Sequence, residues 1–230
     1  MFKHRSHKKE LLDQHGIPER DLFRNLMELD VINHYLGGYS ITYSALSTIL
    51  KAGKSYVLVD IGSGGGDTLK RIQAWSKNTA FSFNLFGVDI KPSCISYSLT
   101  HRPVAGINFI CDDYRNILNH LPRVDIIHAS LFCHHLTEGE LIALIRFSVT
   151  AKATLVINDL ERNPVAYHAI KLLTRLFSRS YLVKNDAPLS VLRGFKKAEW
   201  LDILQKSGVK NYSVKNKWAF RHLVIVYADK

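Results

Sequence analysis

The sequence predicts an α/β fold: a doubly wound, mostly parallel seven-stranded sheet of the Rossmann-like kind, with an N-terminal helical extension. Three observations predict it. From Ser55 onward, short apolar β-rich runs alternate with helical stretches, as βαβ crossovers and a sheet covered on both faces require. The first of those runs ends in a glycine cluster, Gly62-Ser63-Gly64-Gly65-Gly66. Two strand-like runs close the chain with no helix between them, as a terminal hairpin would.

Taken in order, residues 18–50 read as helical. Leu22, Leu26 and Leu29 recur at helical spacing, and Gly37-Gly38 interrupts before a second helix. SYVLVDIG is the first strand and TLKRIQAWSK its helix. FNLFGVDI is the second, followed by a helix over 92–100 opened by Pro92. INFICDD is the third strand, VDIIHASLF the fourth with the helix EGELIALIRFSV, and TLVINDL the fifth. The helix AEWLDILQKSG ends at Gly208, a favoured C-terminal cap, before the strands YSVKN and FRHLVIVYA. No repeat, low-complexity tract or Pro/Gly-rich linker divides the chain. Residues 1–50 are therefore expected as a helical extension or cap, and residues 51–230 as one domain with an insert around 161–195.

Composition narrows the function classes. With 230 residues and 47% hydrophobic content the chain can bury a substantial core, which excludes disorder as its main state. The longest stretch without Asp, Glu, Lys or Arg, Val31 to Leu50, carries too many polar residues and glycines for a membrane span. The basic start, MFKHRSHKKE, is followed by no apolar segment of the kind a secretory signal needs. Cys94, Cys111 and Cys133 are odd in number and lack CxxC spacing, so neither a disulfide framework nor a structural zinc site is expected, and a reducing cytoplasm is the simplest setting. The charge of +11 is uneven: residues 1–161 hold 17 Lys+Arg against 16 Asp+Glu, residues 162–230 hold 14 against 4. A polyanion, an anionic membrane surface and plain solubility each account for that asymmetry.

The chemistry is concentrated in VLVDIGSGGG, which ends the first strand. Glycines there let the backbone turn tightly and approach a ligand at the N-terminus of the next helix. A dinucleotide fingerprint counted from Gly62 would need its third glycine at position 67, which is Asp67, and a phosphate-binding loop would need a following GK[ST]. Neither is present. Instead Asp60 precedes Gly62 by two positions, and the second strand ends in Asp89, where a carboxylate can accept both hydrogen bonds of a ribose diol. A nucleoside that carries a cation and no pyrophosphate fits this set better than a dinucleotide.

These residues resemble class I S-adenosylmethionine-dependent methyltransferases: DIGSGGG looks like that family's first motif and GVDI like its second. SLFCHHL, VINDLERN, LLTRLFSRS, NDAPLSVLRGF and KWAFRHLVI together resemble a group of small bacterial methyltransferases associated with type III polyketide synthases and secondary metabolism, and the HHL signature is similar to quinone-biosynthesis enzymes. The resemblance implies S-adenosyl-L-methionine as cofactor. It assigns Gly62, Ser63, Gly64 and Gly65 to the cofactor loop, Asp60 to that loop and the methionine amino group, and Asp89 with Ile90 to the ribose end. It gives Asp113 or Asp112 to the adenine amino group, and Ala129 and Ser130 to the methionine moiety.

For the reaction itself, a methyl transfer to a phenol oxygen needs something to take the hydroxyl proton, and histidine suits that task near neutral pH. One of His134 and His135 would face the crevice at the strand ends. The resemblance favours His135, while either could simply cap the following helix. Asp159 could orient a histidine, act as base or cap a helix; Glu161, Arg162 and Arg193 are weaker pocket candidates. No metal site is expected, since the acidic cluster of catechol-type enzymes is not evident. In the insert VAYHAIKLLTRLFSRS, Ile170, Leu172, Leu173, Leu176 and Phe177 form an apolar surface beside Lys171, Arg175 and Arg179. It reads as an apolar lid whose basic face could rest on anionic lipid, or as a solvated amphipathic helix. The expected activity is O-methylation of a small lipophilic phenolic or quinol-like aromatic substrate. A nucleic-acid methyltransferase using the basic C-terminal third is the alternative, weakened by the lack of an (N/D)PP(Y/W) motif, a catalytic cysteine pair or interleaved aromatics.

Overall fold

The computed structural model describes residues 2–14, 16–101 and 103–228. The extension forms α1 (Glu19–Tyr35) and α2 (Gly38–Ile49). Between them the chain turns where a side chain is excluded: a Cβ on Gly38 would lie 1.7 Å from Oδ1 of Asn33. Then follow β1 (Ser55–Ile61), α3 (Asp67–Ser76), β2 (Ser82–Asp89), α4 (Pro92–Thr100), β3 (Ile107–Cys111), α5 (Ile117–His120), β4 (Ile126–Ser130) and α6 (Glu138–Thr150). The second half comprises β5 (Thr154–Leu160), α7 (Pro164–Phe177), α8 (Tyr181–Arg193), α9 (Lys197–Ser207), β6 (Tyr212–Lys217) and β7 (Arg221–Val226).

The seven strands lie in the order β3-β2-β1-β4-β5-β7-β6. β1 to β5 are parallel, and β7 runs antiparallel to both β5 and β6, giving the terminal hairpin. The strand order reverses between β1 and β4, and the crevice at their carboxyl ends is where such sheets take ligands. Alternation along β1 explains the two layers. Leu58 joins Ile41, Leu46, Leu69 and Ile72 on one face, while Val59 and Ile61 join Leu141, Leu144, Trp200 and Leu204 on the other. Each fully buried aliphatic side chain contributes about 1.5–3 kcal/mol, so both helix layers are strongly held.

Two segments depart from the sequence reading. Residues 181–193, given no element of their own within the expected insert, form α8 despite Asn185, Asp186 and Pro188. Tertiary burial of Leu182, Val183, Leu189 and Val191 outweighs propensity there, and the Ser180 hydroxyl accepts from the N–H of Val183. The basic start of the chain is a strap across the site. Asp186 accepts the N–H groups of Leu11 and Leu12 at 2.9 and 2.8 Å, Ser6 donates to the carbonyl of Leu192, and Arg162 donates to the carbonyl of Phe2. The cationic C-terminal third is also partly internal: Arg162, Arg193 and Arg221 are buried. No helix among the described residues is long and apolar enough to cross a membrane, and the three cysteines are free.

Candidate active site

Two cavities meet at the carboxyl edge of the sheet. The first, a cleft of about 370 Å³, runs along the glycine loop between β1 and α3. Its walls include Gly62, Ser63, Gly64 and Gly65, then Asp89 and Ile90 from the end of β2, and Ser130 from β4. Gly62 adopts φ 63°, and a Cβ there would sit 2.3 Å from the Phe132 ring, so only glycine closes this turn. Asp89 accepts from the N–H of Gly64 and of Lys91, each at 2.9 Å. Burial pushes its carboxyl above the usual range, and these two N–H groups oppose the shift. The hydroxyl oxygens of Ser63 and Ser130 are buried without a partner among the described residues.

Four of the expected cofactor residues lie outside that lining. Asp60 is buried behind the loop with its Oδ1 2.7 Å from Nδ1 of His128. Ala129 belongs to the apolar core beneath β4. Asp112 is engaged by Asn116 and by His120 at 2.7 Å, contacts that hold its carboxyl down at about 2. Asp113 caps the turn after β3 and pairs with Arg115 at 2.5 Å, which lowers its carboxyl as well.

The second cavity, about 280 Å³, is an almost wholly apolar chamber between α1, α7 and α8. Leu29, Ile32 and Leu36 face Ala166, Ala169, Ile170 and Leu173, with Val183, Ala187 and Val191 behind. Leu12, Leu29, Leu131 and His135 line both the cleft and the chamber. Leu131 holds left-handed backbone at φ 53°, and its N–H donates to the carbonyl of Asn158 at 3.0 Å. Such strain in a leucine is stored where the surroundings over-determine it.

The histidine pair sits in a dense polar cluster at that junction. Asp159 is fully buried; its Oδ1 lies 2.7 Å from Nδ1 of His134, and its Oδ2 accepts the His134 N–H at 2.8 Å. Burial pushes the Asp159 carboxyl up, but His134 outweighs burial and the net shift is downward. His135 faces Asp13, with Nδ1 3.1 Å from Oδ1. Burial opposes ionisation of Asp13 too, yet the His135 contact takes its carboxyl down to about 2. Glu10, also buried, is pushed up to about 7, chiefly by burial. Arg193 donates to the carbonyls of His134 and His135, and Arg162 pairs with Glu199 at 2.6 Å. Glu161 bridges to Phe195, so these three pocket candidates support the site without lining it.

No family model and no curated relative matches the chain. Solved structures do. Human N-acetylserotonin methyltransferase in complex with SAM superposes with TM-score 0.64 at 17% identity, over 93% of this chain and 57% of that one. The chain thus spans a little over half of that protein. The plantazolicin methyltransferase BpumL, in complex with SAH and a monoazolic desmethylPZN analogue, gives 0.62 at 16% identity over 92% and 95%. A putative O-methyltransferase from Nostoc punctiforme gives 0.58 at 14% identity over 88% and 60%. The chain has the methyltransferase fold. Within that fold, sequence reasoning missed Glu10 and Asp13, which the strap brings from far along the chain, as well as Leu131. Nothing local to Glu10 or Asp13 signals that they fold over a histidine pair. A leucine after Ser130 likewise gives no sign of left-handed backbone.

Proposed function

We propose that this protein is an S-adenosylmethionine-dependent methyltransferase acting on a small lipophilic phenolic or quinol-like acceptor, by O-methylation. The observation that carries the reading is that His135 and Leu131 line both the polar cleft and the apolar chamber, so that a cofactor site and an acceptor site share one wall. The cleft fits the cofactor: Ser63 and Ser130 offer two buried hydroxyls with no partner among the described residues, and the glycine loop admits close approach. Asp89 would accept the ribose hydroxyls, Ile90 would pack on the base, and Gly62, Gly64 and Gly65 would border the methionine end. When bound, the cofactor supplies an electrophilic methyl group on its sulfonium. His135 receives the acceptor proton at Nε2 while Asp13 holds Nδ1; Asp159 positions His134 beside it. The apolar chamber walls exclude water and favour a greasy ring.

The acceptor would arrive through an apolar groove between α1 and α7, where Val31, Tyr35, Leu36 and Phe177 continue the chamber outward. Leu172, Leu176 and Phe177 are exposed on α7, with Phe177 78% accessible, and Lys171, Arg175 and Arg179 flank them. Peripheral contact with anionic membrane is part of this reading. The nucleic-acid alternative loses support because Arg162, Arg193 and Arg221 are spent inside the molecule. The reading is tested by incubation with methyl-labelled S-adenosylmethionine and fractionated cell extract. Label partitioning into the organic phase is expected; label in RNA or protein would overturn it.

A further inference from the structure

Glu10, His134 and His135 converge on the wall of the chamber. Each imidazole has its Nδ1 turned to a carboxylate, His134 to Asp159 at 2.7 Å and His135 to Asp13 at 3.1 Å. Both remaining nitrogens face Glu10: Nε2 of His134 lies 3.6 Å from Oε1, and Nε2 of His135 lies 3.7 Å from Oε2. These separations are too long for hydrogen bonds. The three ligand atoms all lie within 4.8 Å of one another. A metal bonded at about 2.0–2.2 Å to nitrogen and oxygen sets such atoms roughly 3.3–3.6 Å apart, so the gap is already close to the size of an ion.

One further feature agrees. A carboxylate behind Nδ1 is the usual outer partner of a metal-bound imidazole, and here both histidines have one.

We propose that Glu10, His134 and His135 bind one divalent transition-metal ion of the zinc class, with its open positions toward the chamber. Two imidazoles and one carboxylate suit zinc or iron(II) better than magnesium or calcium. The use of the site rests on the methyltransferase reading: a hydroxyl that ligates the ion ionises more readily and gives its proton to solvent, replacing His135 as the activating group.

The test uses tag-free full-length protein, freed of metal with a chelator, given one equivalent of zinc and desalted for elemental analysis. Cobalt(II) in place of zinc provides a visible spectrum. One ion per chain is expected. Glu10→Gln and His135→Asn should each lose it, and Asp13→Asn should weaken binding about 10–100-fold. Should Glu10→Gln fail to fold by circular dichroism, His135→Asn, at a partly exposed position, carries the comparison. No zinc uptake by the wild type, or uptake unchanged in the variants, overturns the site and leaves the cluster a structural network of hydrogen bonds and ion pairs. Calorimetry with S-adenosylhomocysteine on the same samples separates the two proposals. Cofactor binding without zinc removes only the metal, and zinc binding without cofactor removes only the methyltransferase reading.

Discussion

Asp60 and His128 are partners across the β1–β4 pair, with Oδ1 and Nδ1 2.7 Å apart and both side chains buried. The other ring nitrogen of His128 lies 3.1 Å from the Thr42 hydroxyl, so the contact extends from the sheet to α2. Asp60 therefore steadies the glycine loop from behind.

Removing that carboxylate should cost stability first. Asp60→Ala is expected to destabilise by about 3–5 kcal/mol, the range for breaking one partner out of a buried pair. Asp60→Asn, which keeps a hydrogen bond, should cost about 1–3 kcal/mol. Urea unfolding measures both, and calorimetry should show a smaller loss of cofactor affinity than Asp89→Ala gives. A variant as stable as wild type but unable to bind cofactor would return Asp60 to direct contact.

Asp89→Ala should weaken S-adenosylhomocysteine binding by about 1–3 kcal/mol. The sign of the pH effect follows from burial. An Asp89 carboxyl raised above 3.8 protonates earlier on acidification and then stops accepting. Affinity should begin to fall at a higher pH than for an ordinary aspartate, and Asp89→Asn should be flat across that window. Equal pH profiles for the two proteins would remove the role.

His135→Ala should lower turnover about 10²–10⁴-fold while cofactor affinity survives. Single-turnover assays with labelled cofactor read this directly. Persistent turnover would make the histidine structural.

Replacing Lys171, Arg175 and Arg179 with Gln should reduce binding to vesicles containing phosphatidylserine. At about 1 kcal/mol per basic residue near the surface, the three together amount to roughly 100-fold. Neutral vesicles serve as the control. Co-sedimentation unchanged by the substitutions would end the membrane idea.

The strands and the crevice at their carboxyl ends were legible because β-rich runs, glycine clusters and helix starts are all local signals. Asp89 was picked out by its place at the end of the second strand, Ser63 and Ser130 by the family resemblance. What was not legible is long-range. Glu10 meets His134 and His135 because Asp186, Ser190 and Arg193, far along the chain, anchor the strap, and no spacing encodes that pairing. Asp113 and its competitor Asp112, which the family resemblance offers to the adenine amino group, both have partners close by in the chain, Arg115 for the one and Asn116 with His120 for the other.

Leu131 also limits how this site can change. Because its backbone is left-handed, a β-branched replacement is sterically disfavoured there. The common conservative replacements, valine and isoleucine, are thus closed at the wall shared by the two cavities. Glycine or asparagine would fit the backbone but remove the wall. If the chamber takes the proposed acceptor, new acceptors would be more readily accommodated from the far side, where Ala166, Ala169 and Ala187 sit on helices and can grow or shrink without disturbing the turn. Substrate range would then be free to drift at one end of the chamber and held fixed at the other.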